Sequence, residues 1–287
     1  MSVSFVSRVF DTITECLSLV QSESIEVQEK VLQTLASITK VSAQYRTMLA
    51  QTDNAIPTLA SLTNSSSPII QTLSLLTLFN LSFNPDLKQS LADMETIYYL
   101  NSLITSTSSL DSSKLASSLI CSLAMRDKNK AKFGVAGTIQ LLVKAIEGSH
   151  DAHHLLSSLA ELVHFHGNCT LAVRAGAVSV LLRVAKGTDN EDLAGTSLVV
   201  LSLLARFDEG LNGLKRTDDI VKAMLSKEGT ADILIRLFDD SEDYVVEALM
   251  LPEFSSVLAD LCVRGFNESS RQDRFVDEED GKGELGL

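Results

Sequence analysis

Apolar residues recur every three or four positions through most of the chain, in runs separated by short polar hinges. In residues 55–94, Ile56, Leu59 and Leu62 share one helical stripe, and a second apolar run follows a Ser/Asn/Pro hinge. This second run carries one polar residue, Asn80, set into its apolar flank. Such spacing is typical of amphipathic helices. Residues 55–94 therefore predict a helix, a hinge and a longer helix.

The same hydrophobic frame returns at nearly constant intervals. The position of Asn80 maps to Ser122, Glu161 and Leu203, at spacings of 42, 39 and 42 residues (122−80, 161−122, 203−161). Repeats of roughly 40–47 residues are typical of solenoids whose units contain two or three helices. With an earlier copy around Ser37, the frame predicts about six units, the last one irregular.

Three glycines, Gly137, Gly176 and Gly229, each stand directly before an apolar run, where a turn with positive φ suits glycine. With this feature the chain resembles the armadillo repeat family over about residues 5–265. Units of that family contain a short helix, a second helix that starts after a Gly, and a long third helix. The resemblance implies an all-α fold, a right-handed superhelical solenoid of about six armadillo repeats over residues 1–265. Residues 173–184 and 257–265 are most similar to plant armadillo proteins, including the arrays of U-box ubiquitin ligases.

Composition supports stacked helices. The chain is 45% hydrophobic but only 5% aromatic, without Trp and with four Pro, so its core must consist mainly of Leu, Val, Ile and Ala. Residues 25–49 predict one long helix. The basic residues of 126–132 are expected at a helix end and in the loop after it, where cations favour the helix dipole. They could equally form a small patch that binds an acidic partner. Residues 266–287 are acidic and lack apolar periodicity, so we expect a disordered tail there.

Charge, cysteine content and hydropathy narrow the classes of partner and compartment. The net charge is −13, and residues 126–132 form the main basic run, so nucleic acid is not an expected partner. The four cysteines form no CxxC pair, which fits a reducing cytoplasm and/or nucleus. No apolar run is long enough for membrane insertion, and the N-terminus lacks a signal-peptide pattern.

The resemblance also indicates where a partner could bind. In armadillo receptors for nuclear-localisation peptides, the third helices present rows of Trp and Asn to a concave groove. Here only Asn80 matches those rows, so that mechanism is not expected, and Asn80 could instead be a satisfied amide on the helix surface. The equivalent positions still predict a polar, locally acidic groove for partner segments, with the candidate residues Asn80, Ser118, Ser122, Arg126, Ser157 and Glu161.

Other chemistry has little support in the sequence. All five histidines lie within residues 150–166, and His150 and His154 have a ligand-compatible spacing, but no CxxC or HExxH motif accompanies them. A solvated helix start and a polar loop are the alternative interpretation. No catalytic or phosphate-binding motif is present, so neither catalytic residues nor cofactors are predicted.

The sequence thus favours a non-enzymatic scaffold that binds other proteins along the groove, and we expect it to be a monomer. The alternative hypothesis is a substrate-recruiting component of a U-box-type ubiquitin ligase, without its own U-box. A nuclear-transport adaptor is disfavoured by the missing Trp and Asn rows.

Overall fold

The computed structural model describes residues 3–105, 110–149, 152–187, 190–227, 229–256 and 258–259. These residues form α-helices and one 3₁₀ turn, Pro85–Leu87, and contain no strand. The helices are α1 (Val3–Leu19), α2 (Ile25–Val41), α3 (Ala43–Gln51), α4 (Ala55–Leu62), α5 (Pro68–Leu81), α6 (Lys88–Leu91), α7 (Met94–Ile104), α8 (Leu110–Ala124), α9 (Asp127–Val135), α10 (Thr138–Glu147), α11 (His153–Val163), α12 (His166–Arg174), α13 (Ala177–Gly187), α14 (Glu191–Ala205), α15 (Asp208–Lys215), α16 (Ile220–Leu225), α17 (Ala231–Asp240) and α18 (Glu242–Leu249).

The polar hinges end in residues that start helices. Ser67 accepts a hydrogen bond from the Ile70 backbone N–H, and Pro68 occupies the first turn of α5. Asn190 caps α14 in the same way through the Leu193 N–H. A capping side chain satisfies a backbone donor that the helix itself leaves unpaired, and Pro has no such donor to lose. The hinge composition therefore fixes where the long helices begin.

Four repeats of three helices follow the leading pair α1 and α2. Repeat A contains α3 to α5, repeat B the 3₁₀ turn with α6 to α8, repeat C α9 to α11, and repeat D α12 to α14. The repeats begin at Ala43, Pro85, Asp127 and His166, at spacings of 42, 42 and 39 residues (85−43, 127−85, 166−127). The repeat length predicted from the sequence is confirmed, as is the all-α solenoid.

The third helices form the centre of the stack. Helices α2, α5, α8, α11 and α14 pack against one another in that order. Their inward side chains are fully buried aliphatic residues, such as Leu78 in α5, Leu119 in α8 and Leu159 in α11. Burial of such aliphatic side chains is the main stabilising contribution in a fold of this kind.

The glycine junctions are confirmed. Gly137, Gly176 and Gly229 have φ of 79°, 84° and 76°, in the left-handed region where a Cβ is unfavourable. Asn54 and Asp219 adopt the same conformation, with φ of 58° and 55°. Asn and Asp tolerate this region better than other residues with a side chain, so these two junctions carry no glycine signal in the sequence.

Two predicted boundaries are wrong. Residues 25–49 do not form one helix, because Ser42 is extended (φ −140°, ψ 133°) and separates α2 from α3. Residues 126–132 do not lie at a helix end and in the loop after it either: Arg126 is the extended residue before α9, Lys128 and Lys130 lie in the first turns of that helix, and Lys132 lies in its last turn. Hydrophobic periodicity continues across such short breaks, so it does not reveal them.

The chain divides into two compact parts, residues 1–210 and 211–287, and the four repeats lie in the first. In the second part, α16, α17 and α18 pack together, and Lys215 forms an ion pair with Asp240 at 2.7 Å. Pro252 lies in a turn after α18, and the helical conformation resumes at Phe254. The predicted tail, 266–287, lies outside the described residues.

Among the described helices, no single one is long and apolar enough to cross a membrane. The adjacent helices α12 and α13 reach the required length and composition only as a pair, and this pair is bent by 74°.

Candidate functional site: the groove along the third helices

An open groove of about 450 Å³ runs across the third helices of repeats A, B and C. Its lining comes from the end of α5, the loop that follows, α6, α8 and α11. The lining residues are Phe79, Ser82, Phe83, Pro85, Lys88, Ser118, Cys121, Ser122, Met125, His154 and Ser157. Three of the six residues predicted for the groove, Ser118, Ser122 and Ser157, are therefore brought together there.

The groove has an apolar wall that extends into solvent. Phe79 and Phe83 meet edge to face, with ring centroids 4.9 Å apart. Phe83 is 55% exposed and Met125 is 64% exposed, although both are large apolar side chains. Exposed aromatic and Met side chains beside a concavity are typical of surfaces that bind another protein.

Lys88 provides the groove with a positive charge. Its Nζ donates to the Ser122 carbonyl at 2.7 Å and lies 3.6 Å from Met125 Sδ. Burial lowers the pKa of this ammonium below its ordinary value, while the charges of Cys121 and Glu161 act in the opposite direction. We call Lys88, Ser122 and Met125 the open lysine site.

The predicted serines form hydrogen bonds within the protein. Ser82 Oγ donates to Ser122 Oγ at 2.8 Å, which links the end of α5 to α8. Ser118 Oγ lies 3.3 Å from His154 Nδ1, and Ser157 Oγ donates to the His153 carbonyl at 2.9 Å. Each hydroxyl retains further capacity to accept a hydrogen bond at the groove surface.

Asn80 is not a surface amide. It is 4% exposed, and its Nδ2 donates to the Ala36 carbonyl at 3.0 Å and to Thr39 Oγ1 at 3.2 Å, both on α2. Counted from the end of α5, Phe79 is the third residue, as Ser122 is in α8 and Glu161 in α11. The hydrophobic frame was therefore one residue out of step at α5, and Phe79 lines the groove while Asn80 holds two helices together.

Glu161 does not make the groove locally acidic, because Lys130 is its partner. Lys130 Nζ is 3.0 Å from Glu161 Oε1 and 2.9 Å from Asp127 Oδ1, and the Lys130 side chain is 6% exposed. Burial disfavours the charged amine, but the hydrogen bonds to Asp127 and Glu161 outweigh this effect and raise the pKa of Lys130. We call Lys130, Asp127 and Glu161 the closed lysine site.

Arg126, the sixth predicted residue, lies at one end of the groove. Its Nη1 donates to the Pro85 carbonyl and its Nη2 to Gln89 Oε1, each at 3.3 Å. Arg126 therefore links the start of α9 to the 3₁₀ turn and to α6 of repeat B. Together with Lys88 it gives this end of the groove a positive character.

A row of buried asparagines was missed by the sequence analysis. Asn129 donates to the carbonyls of Lys88 and Leu123, each at 2.9 Å. Asn168, one repeat later, donates to the carbonyls of Lys130 and Leu162 at 2.9 and 3.0 Å. Both are the third residue of a first helix, 39 residues apart (168−129), so the repeat spacing itself was the available signal.

These asparagines also place the lysines. Each amide binds the backbone carbonyl of the preceding repeat's lysine, Lys88 or Lys130, and each lysine is the fourth residue counted from the start of its repeat, Pro85 or Asp127. The two lysines therefore occupy equivalent positions, and each reaches the last turn of its own repeat's third helix.

The groove offers little for catalysis or metal binding. Burial raises the pKa of the Cys121 thiol, so this groove residue is a poor nucleophile at neutral pH. Within the described ranges, no three His, Cys, Asp or Glu side chains are arranged to hold a metal ion. His150 and Asp151, two members of the histidine-rich segment, lie outside those ranges.

Comparison with solved structures identifies the architecture. A computationally designed armadillo repeat protein for modular peptide recognition has a TM-score of 0.67 and 16% identity, and the alignment covers 80% of this chain and 97% of the designed one. The fold is an armadillo solenoid. A designed armadillo protein in complex with the peptide (KR)4 has a TM-score of 0.66 and 16% identity, over 86% of this chain and 99% of that one. An engineered protein has a TM-score of 0.66 and 20% identity, over 83% and 97%.

Comparison of the sequence with known families and proteins does not assign the chain to a family. No protein-family model matches the chain, and no curated protein sequence matches it either.

Proposed function

We propose that this armadillo solenoid is a non-enzymatic scaffold that binds an extended or helical segment of a partner protein in the groove along its third helices. The observation that carries the proposal is the apolar wall of the groove, in which Phe83 and Met125 remain more than half exposed. Large apolar side chains around a concavity supply most of the binding energy in many protein interfaces.

The designed neighbours support a peptide-binding role in general, and the groove suggests a different type of peptide. One designed armadillo protein is described in complex with (KR)4. The present chain contains no Trp and places Lys88 and Arg126 at its groove. Two cations and an apolar wall do not favour a basic peptide, so nuclear-localisation peptides are not the expected partners.

The test replaces the apolar wall and leaves the core intact. We expect Phe83→Ala combined with Met125→Ala to lose the partners that the wild-type chain captures from cell extract, with an unchanged circular dichroism spectrum. Tyr98→Ala is the matched control, because Tyr98 is also 55% exposed but lies on α7, outside the groove lining. Equal capture by the double variant and the wild type would place the binding surface elsewhere and overturn the proposal.

A substrate-recruiting role in a U-box-type ubiquitin ligase is a narrower form of the same proposal, in the cytoplasm and/or nucleus. It would use the same groove to hold the substrate. Reconstitution with purified U-box proteins and ubiquitin-conjugating enzymes tests it, since a recruiting component must increase transfer to a captured partner and Phe83→Ala with Met125→Ala must abolish that increase.

A further inference from the structure

Lys88 differs from the other lysine at its position in lacking a carboxylate partner. Its Nζ has one oxygen acceptor in the structure, the Ser122 carbonyl, and a contact to the Met125 sulfur. No carboxylate lies within ion-pair distance of Lys88 in the part of the chain that the structure describes. The charge of Glu161 acts on Lys88, but Glu161 Oε1 is engaged by Lys130 at 3.0 Å.

The closed lysine site shows which group pairs with a lysine at this position of the repeat. In repeat C the third residue from the end of the third helix is Glu161, and its carboxylate binds the repeat's own lysine. In repeat B the same place is taken by Ser122, whose short side chain bonds to Ser82 instead. Repeat B therefore has no counterpart of the Glu161 carboxylate, and Ser122, which takes its position, lines the groove.

We infer that the partner segment carries a carboxylate side chain that pairs with Lys88, directly beside an apolar side chain that packs on Phe83 and Met125. This inference rests on the proposed function and narrows the partner to an acidic and apolar sequence. The partner's carboxylate takes the place that Glu161 fills in repeat C. An ammonium has three donors, and the Ser122 carbonyl and the Met125 sulfur take two of them, so one remains for a carboxylate from outside.

The charges around the groove favour an acidic partner segment over a basic one. Arg126 lies at the same end of the groove as Lys88, because it bonds to the Pro85 carbonyl. The two carboxylates of the closed lysine site, Glu161 and Asp127, are both bound to Lys130. A basic segment would therefore place like charges against Lys88 and Arg126 in a partly desolvated groove.

The experiment starts from selection of randomised peptides on phage against the complete folded chain. We expect the enriched peptides to contain Asp or Glu next to a Leu, Met or aromatic residue. A selected peptide and its Glu→Gln (or Asp→Asn) version are then synthesised with a fluorophore, and their affinities are measured by fluorescence polarisation. Loss of the carboxylate should weaken binding about 10- to 100-fold, the range for a hydrogen bond to a charged group.

Three variants locate the carboxylate. In Lys88→Gln, the two peptides should bind with affinities within about threefold of each other, because the pair no longer exists. Ser122→Glu should close the site from within the chain and abolish the preference for the acidic peptide, whereas Ser122→Gln, of equal size, should retain it. Lys144→Gln is the matched charge control: it removes a cation from an exposed position on α10, outside the groove lining, and should leave both affinities unchanged.

The outcomes separate this inference from the function on which it rests. Selected peptides that bind through Phe83 and Met125 but show no acidic preference, or the same preference in Lys88→Gln, would overturn the inference and leave the groove as the binding site. Peptides whose binding does not depend on Phe83 and Met125, or failure of the chain to enrich any peptide, would contradict both.

Discussion

Repeats B and C place a lysine at the same point of the same layer, but the surroundings of the two lysines differ. Lys130 is buried between Asp127 and Glu161, whereas Lys88 faces the groove with a single carbonyl as oxygen acceptor. The backbone frame around them is shared, because Asn129 and Asn168 hold the two lysine carbonyls alike. The difference thus results from the side chains around each lysine: Asp127 and Glu161 in repeat C correspond to Pro85 and Ser122 in repeat B. A regular stack can therefore differ locally in charge.

The largest expected effect concerns the part that the two repeats share. Asn168→Ala removes two buried hydrogen bonds, those that its amide donates to the carbonyls of Lys130 and Leu162. We expect a loss of about 2–3 kcal/mol in the free energy of unfolding, and a similar loss for Asn129→Ala. Urea denaturation followed by circular dichroism measures both.

Asn64→Ala serves as the control for these variants, because Asn64 is exposed in the hinge before α5. It should change stability by less than about 0.5 kcal/mol. If Asn129→Ala and Asn168→Ala were equally harmless, the asparagines would not be what holds the two lysine positions in register.

A smaller effect is expected where the two repeats differ. Glu161→Gln removes the carboxylate that binds the buried Lys130, and we expect a loss of about 1 kcal/mol in the free energy of unfolding. Glu147→Gln, which breaks the exposed ion pair with Arg183, should cost close to nothing. Equal costs for the two substitutions in urea denaturation would mean that the closed lysine site is no stronger than a surface pair.

The groove thiol provides a measurement of how far the charge of Glu161 extends. Burial, and then the charge of Glu161, raise the pKa of Cys121. Glu161→Gln should therefore lower this pKa and increase the rate of alkylation by iodoacetamide at fixed pH by a small factor. Peptide mass spectrometry assigns the modified residue.

Cys169 is the internal reference for that assay. It is fully buried, and burial raises its pKa to about 12, so it should react only on unfolding. A Cys121 rate that does not respond to Glu161→Gln would show that the carboxylate is electrically isolated from the groove by Lys130.

The smallest effect is an opposite pH dependence of the two lysines. The folded-state pKa of Lys88 is lowered, so the unfolded chain binds more protons between that value and 10.5, and its contribution to stability rises with pH. The folded-state pKa of Lys130 is raised, so its contribution is complete below 10.5 and is lost as pH rises through the raised value. Urea denaturation at alkaline pH should therefore show slopes that change in opposite directions in Lys88→Gln and Lys130→Gln; slopes that change in the same direction would contradict the distinction between open and closed sites.

The sequence by itself determined the repeat and the glycine turns between its helices. Aliphatic spacing at helical period and the near-constant recurrence of one frame predicted the stacked helices, and Gly137, Gly176 and Gly229 marked turns that require positive φ. These features could be predicted because they depend on local backbone geometry and on periodicity, and both can be read from residues that are close together in the sequence. The junctions at Asn54 and Asp219 and the break at Ser42 could not, since those residues are compatible with several conformations.

Only the tertiary structure decided what each polar residue does. A shift of one residue at α5 exchanges Asn80 for Phe79, which turns a predicted groove residue into an interior one. The partner of Glu161 is 31 residues away in the sequence (161−130), and Lys88 contacts a backbone carbonyl because Ser122 stands where repeat C has Glu161. Hydrogen bonds and charge pairs between layers depend on which helix faces which, and hydrophobic periodicity carries no information about the partner that a polar side chain will meet.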